Sequence, residues 1–188
     1  QVNAIFQVAP IFVTLLSAFV LKEYINIKRW GGVIIGMLGA LLIIRPGSEV
    51  FSINIILPAI AALCYASYVI STRFLSQEES ATTNFIYSSL IGSILASILV
   101  IPSWISIDPT DIFVFSGFGL LGALGHLFLI NAFRMSEASF LAPFNYLNLV
   151  FGTIWGFYIF DEIPGFFTIT GSLVIVSSGI YIWIKDKK

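Results

Sequence analysis

The sequence predicts an all-α integral membrane protein, and three observations carry that reading. Hydrophobic residues fill 58% of the 188 positions and charged residues only 10%, with a mean hydropathy of +0.99. Soluble domains hold about 45–50% apolar and about 25% charged residues. The apolar residues gather into seven stretches, each near the ~20 residues that a helix needs to cross the hydrocarbon core. The connections between them are too short to hold a soluble domain, and runs such as 33–44 do not alternate apolar with polar as a membrane β-barrel would.

The seven predicted spans are punctuated by charges, Pro and Gly. Helix A runs over 2–22 and ends at Lys22-Glu23. Helix B covers 28–45, between Lys28-Arg29 and Pro46-Gly47. Helix C covers 54–73, helix D 83–103 and helix E 112–134, the last bounded by Asp111 and Arg134. Helix F covers 138–160, between Glu137 and Asp161, and helix G 165–184, opened by Pro164 and closed by Lys185. Trp104, Tyr181 and Trp183 lie near span ends and read as interfacial anchors.

Composition excludes several functions. Nine Lys and Arg stand against ten Asp and Glu, so no basic footprint for nucleic acid is present. One Cys and one His leave no disulfide framework and almost nothing for a transition-metal site. No cofactor motif stands in a supporting context, and no Ser–His–acid or paired-carboxylate set converges at one depth, so an enzyme is not expected. Cys64 reads as a small packing residue. No basic n-region and cleavage site precede the first apolar run.

Lys and Arg give an orientation. Lys22, Lys28, Arg29, Arg73, Arg134, Lys185, Lys187 and Lys188 fall on one side of the membrane and Arg45 alone on the other. Basic residues mark cytoplasmic loops, so the C-terminus is expected in the cytoplasm of an inner (plasma) membrane protein. The chain then begins outside, at Gln1 and at full hydrophobic depth, which leads us to expect preceding helices.

Helices A and B share a pattern with F and G. Phe19-Val-Leu-Lys-Glu23 is followed by Gly31 and Gly39, and Tyr158-Ile-Phe-Asp-Glu162 is followed by Gly171 and Gly179. Helix A descends toward the cytoplasm while F climbs from it, so the likeness reads as an inverted repeat of the kind on which many secondary transporters are built. A carboxylate suits the N-terminus of a helix, so Glu23 and Glu162 are expected to serve the helices that follow them, B and G, as turn acids. A gating or coupling role is the sharper alternative.

These residues resemble a known family. Ala9-Pro10, Leu21-Lys-Glu23, Arg29-Trp30-Gly31 and Ile44-Arg-Pro-Gly47 look like the fourth and fifth helices of EamA-type transporters of the drug/metabolite transporter superfamily. Ala142-Pro143-Phe-Asn-Tyr146 and Phe160-Asp-Glu-Ile-Pro164 look like the ninth helix and its exit. The resemblance implies ten helices in two inverted halves. Residues 1–50 would then be the last two helices of the first repeat, and 51–188 the five of the second. It also implies alternating access for a small metabolite without a cofactor. Asp161 and His126 depart from the family pattern, where a small residue and Gln are common. The region 85–164, with Phe85-Ile-Tyr87, is somewhat similar to S-adenosylmethionine uptake carriers, while amino acids and drug-like compounds are equally open as cargo.

Polar groups at mid-membrane depth are where solute contacts are sought. The candidates are Asn145, Tyr146, Asn148 and Trp155 on helix F, Tyr65 and Tyr68 on C, Gln7 on A and His126 on E. For each, bonding between helices is the structural alternative. Glu23, Glu162, Pro10 and Pro143 are assigned gating or structural roles. Gly117-Phe-Gly119-Leu-Leu-Gly122 imitates a dinucleotide-binding fingerprint, but that motif has meaning only between a strand and a helix. Here, like Gly32/Gly36, Gly152/Gly156 and Ser89/Ser93/Ser97, it reads as a face for close helix packing. Such a face can also serve a homodimer, which the sequence leaves open. A membrane scaffold without transport activity is the alternative function.

The topology makes a direct prediction. A reporter joined after Lys188 is expected on the cytoplasmic side and one inserted at Asp108 outside; finding both on one side refutes the seven-span count.

Overall fold

A computed structural model of the chain describes residues 6–45, 56–106 and 108–186, and every regular element among them is helical. The elements are α1 (Ala9–Val20), α2 (Ile27–Ile44), α3 (Ile56–Leu75), α4 (Ala81–Val100), α5 (Ile112–Met135), α6 (Ala138–Leu141), α7 (Leu147–Phe160) and α8 (Phe166–Asp186). Short 3₁₀ turns add Ile101–Ser103, Pro109–Asp111 and Ala142–Tyr146. The start of helix A and the Pro46-Gly47 motif lie outside the described residues.

Five of these elements are long and apolar enough to cross a membrane: Ile27–Ile44, Ile56–Leu75, Ala81–Ser103, Pro109–Met135 and Phe166–Lys185. The sequence led us to expect seven. Helix A is described over only the 12 residues Ala9–Val20, and helix F, expected as one span over 138–160, is divided. Pro143 has no N–H to give the preceding turn, and the chain tightens into a 3₁₀ turn over Ala142–Tyr146 between α6 and α7. Pro10, by contrast, sits in the first turn of α1, where its missing N–H costs nothing.

The helices form two compact units, residues 1–71 with 137–188 and residues 72–136. The first is organised by α2 against α8. Their crossing is set by glycine: a Cβ on Gly171 would fall 2.6 Å from the Gly39 carbonyl oxygen, and one on Gly39 would fall 2.9 Å from that of Gly171. The two backbones therefore touch, as small residues allow in membranes. Ala40, Tyr146 and Ile175 form the buried core beside this seam. At one end the Arg45 guanidinium lies 3.6 Å from the centre of the Phe167 ring, and at the other Lys28 Nζ donates to the Lys185 carbonyl at 3.5 Å.

The turns that follow α1 and α7 share one geometry. Lys22 and Asp161 are left-handed, with φ of 56° and 54°. The Glu23 N–H reaches the Ser17 carbonyl at 3.2 Å, and the Glu162 N–H reaches that of Gly156 at 3.2 Å. In each turn the N–H after the left-handed residue bonds a carbonyl six residues back, which satisfies an orphan acceptor at the helix end. The sequence offset that relates the turns also maps Gly32 onto Gly171 and Gly39 onto Ser178. Gly39 meets Gly171, and a Cβ on Gly32 would meet the Ser178 carbonyl at 3.8 Å. The likeness of helices A and B to F and G thus extends to hydrogen bonds and packing.

In the second unit α4 and α5 are exposed along nearly their whole length; Asn84, Ile130 and Phe133 are their buried residues. Arg73 Nη1 donates to the carbonyls of Phe133 at 2.7 Å and Arg134 at 3.1 Å, satisfying the end of α5. The Asp108 carboxylate accepts from the N–H and the hydroxyl of Thr110 at 2.9 and 2.6 Å. These bonds hold its carboxyl below the usual aspartate range. Cys64 is exposed on α3, so the packing role expected for it is not found.

The glycine seam should govern stability. Gly171→Val forces a side chain into a backbone contact, an overpacking that costs about 1–3 kcal/mol, and should lower the thermal midpoint in detergent by several degrees. Gly117→Ala, whose methyl meets nothing within 4 Å, should leave it unchanged.

Candidate functional site

Four of the sequence-predicted polar residues come together in the first unit. Gln7, Tyr65, Asn145 and Asn148 line one pocket of about 170 Å³ with Phe6, Ala9 and Pro10. Each arrives on a different piece of chain. Gln7 stands just before α1, Tyr65 midway along α3, Asn145 in the 3₁₀ turn and Asn148 in the first turn of α7. The Pro143 break delivers the two amides to one side, since a 3₁₀ turn and an α-turn wind the chain differently.

Hydrogen bonding in this pocket is incomplete in an informative way. The Tyr65 hydroxyl donates to Asn145 Oδ1 at 3.1 Å, which turns Asn145 Nδ2 away as a donor. That nitrogen is buried and has no partner among the described residues. An unmet buried donor costs about 1–3 kcal/mol, so a ligand acceptor would relieve it. The Phe6 and Tyr65 rings lie 5.5 Å apart and tilted, and Gln7 is buried at 7% exposure. No charged residue lines the pocket among the described residues. It is aromatic, amide-rich and neutral.

The other candidates lie elsewhere. Tyr146 is fully buried and packs over Gly36 in the α2–α8 core, facing away from the pocket lining, with its hydroxyl unpartnered among the described residues. Tyr68 is half-buried on α3 and does not line the pocket. Trp155, expected on the face of Asn145 and Asn148, is 60% exposed on α7. His126 belongs to the second unit, where its ring meets Phe85 edge-on at 5.4 Å between centroids. There it borders an open groove of about 440 Å³ with Ser89, Ser93, Gly119 and Gly122. The glycine motif at 117–122 is thus helical throughout, without the strand and turn that a dinucleotide site needs.

Glu23 corrects an expectation. The residue that caps α2 is Asn26, which accepts from the Arg29 N–H at 3.0 Å. The left-handed Lys22 turns the following residue aside, and the Glu23 carboxylate accepts from the N–H of Ala138 at 2.9 Å and of Ser139 at 3.0 Å. The Ser139 hydroxyl donates to the same carboxylate at 2.7 Å. Arg29 completes the cluster, donating to Ser139 Oγ at 2.8 Å and pairing with Glu137. Arg29 and Ser139 are buried. Sequence reasoning passed over Arg29, Glu137 and Ser139; the one signal was a basic residue and an acid on loops of the same predicted side. Glu162, in the equivalent turn, is exposed, and its carboxylate lies over Gly156 of its own helix.

Comparison with known proteins agrees with this architecture. The profile of the EamA-like transporter family matches residues 1–45 and 52–184. An S-adenosylmethionine uptake transporter of Rickettsia conorii is 28% identical over 179 residues, covering 95% of this chain and 61% of the relative. A riboflavin transporter of Vibrio cholerae is 28% identical over 180 residues, covering 95% and 60%. A pseudopaline exporter of Pseudomonas aeruginosa is 27% identical over 176 residues, covering 90% and 61%. The chain therefore spans about three fifths of the length of these relatives.

Proposed function

This chain belongs to the EamA-like transporter family, and from that premise we propose that it forms the larger part of a secondary transporter for a small organic solute. The protein is a multi-pass membrane protein, which we place in the plasma (inner) membrane with its C-terminus in the cytoplasm. The turn after α1 recurs after α7, which supports two inverted halves that rock about a central site, residues 1–50 closing the first and 51–188 forming the second.

The observation that carries the site is the buried Nδ2 of Asn145, without a partner among the described residues, in the pocket shared with Gln7, Tyr65 and Asn148. A scaffold without cargo would give no reason to keep such a donor inside a membrane, where lipid offers it nothing. Neutral lining favours a neutral portion of the solute, and two tilted aromatic rings beside three amides favour a planar ring with hydrogen-bonding edges. S-adenosylmethionine and riboflavin, named for the relatives, share a heteroaromatic ring of that kind. We therefore read the cargo as a heteroaromatic metabolite, ahead of a simple amino acid.

Uptake by the complete transporter tests this. Losing a matched hydrogen bond costs about 0.5–1.5 kcal/mol, so Asn145→Ala and Asn148→Ala should each raise the apparent KM several-fold while the purified protein keeps its thermal midpoint. Unchanged uptake of every heteroaromatic solute carried by the parent, in both variants, refutes the site. Loss of folded protein in both would make the amides structural.

A further inference from the structure

We propose that Glu23, Arg29, Glu137 and Ser139 form a latch that closes the inner end of the path to the pocket and opens in each transport cycle. The proposal rests on the transporter reading and on the cytoplasmic placement of the end that carries Lys22, Lys28 and Arg29.

Position is the first argument. The latch joins the end of α1 to the start of α6, whereas the pocket lies at the other end of α1 and at the 3₁₀ turn and the residues just after it. Both features are therefore spanned by the same two stretches of chain, with the latch nearer the basic end. Chemistry is the second. At the α2–α8 seam backbone touches backbone without charge, and parting it would open a void. The latch is made of charge-assisted hydrogen bonds: the Glu23 carboxylate accepts from the Ala138 and Ser139 N–H groups and the Ser139 hydroxyl, and Arg29 ties Ser139 to Glu137. Water can replace such bonds when the two ends separate, so this joint can be remade repeatedly.

Linkage is the third. Ser139 in the latch and Asn145 in the pocket are separated only by the segment holding Pro143 and the 3₁₀ turn. Movement of Ser139 away from Glu23 is transmitted through that stiff turn to Asn145 and its bond with Tyr65. A solute that engages Asn145 Nδ2 then biases the latch, and the latch biases solute affinity to the same degree.

Chemical labelling tests this without a solute. In the complete transporter with every native cysteine, Cys64 included, replaced by Ala, a reporter is introduced by Ala9→Cys on the pocket wall, where the native residue is 2% exposed. A membrane-impermeant maleimide is applied from the cytoplasmic face in inside-out vesicles and from the outer face in right-side-out ones. Glu23→Gln should raise cytoplasmic labelling about tenfold, the equivalent of ~1.4 kcal/mol in the closed-to-open balance, and lower outer labelling. Ser139→Ala, which removes one hydroxyl and keeps the carboxylate on both N–H groups, should shift both in the same directions and decides the matter if Glu23→Gln does not fold. Glu79→Gln, at an exposed acid of the loop before α4, should change neither. Cytoplasmic labelling unchanged in the folded variants, or a rise from both faces as general loosening would give, overturns the latch. The labelling is read apart from the uptake measurements on Asn145→Ala, so failure of the cargo site and failure of the latch are distinguishable.

Discussion

Hydrocarbon gives a peptide no hydrogen bonds, so a chain that crosses it must satisfy its own donors and acceptors. Most of this molecule obeys by staying α-helical, and its interest lies where helix is interrupted at depth. Pro143 cannot donate, and the chain passes through a 3₁₀ turn from Ala142 to Tyr146. Protein holds the groups around this break: the orphan N–H groups of Ala138 and Ser139, at the start of the short α6, by the Glu23 carboxylate, and the Asn145 amide oxygen by the Tyr65 hydroxyl. Asn145 Nδ2, which no described residue satisfies, lies inside a pocket.

An interrupted helix needs a rigid neighbour, and the α2–α8 pair supplies it. Glycine at 39 and 171 removes the side chains that would hold the two backbones apart, and Tyr146 fills the space beside them over Gly36. Tyr146 was sought as a solute contact because it is a polar group at mid-membrane depth. Successive residues of a tight turn point in different directions, however, and one faces the pocket while the next fills the core. Polar character alone cannot separate those roles.

Much of the fold was legible because a bilayer enforces simple rules. The all-helical class, five of the expected spans and the matched turns at Glu23 and Glu162 could be read from residues alone, and the backbone repeats the likeness down to the left-handed Lys22 and Asp161. The convergence of Gln7, Tyr65, Asn145 and Asn148 was legible for the same reason: amides and tyrosines are expensive at depth and are kept together. The destination of the Glu23 carboxylate was not. A turn acid beside a helix start suggests a cap for that helix, but Asn26 already fills the role, and a side chain has no local sequence signature for a partner more than a hundred residues away. Trp155 shares the face of Asn148 on α7 but stands seven residues farther along the helix, about 10 Å beyond the pocket, where it is exposed.

The distribution of charge separates the two ends of the first unit. Its pocket is neutral, lined by amides and rings, which suits a site that must release what it binds; a fixed ion at that depth would demand a counter-ion in every state. Its charged cluster is placed instead at the end where Lys22 and Lys28 also lie, beside water that can take over each bond as it breaks. Carboxylate and guanidinium are the right groups for that position. They bond strongly enough to hold two chain ends together when dry, and the wet state costs them little. On the latch reading, the same four residues in the middle of the membrane would fix one conformation, whereas at its edge they would allow two.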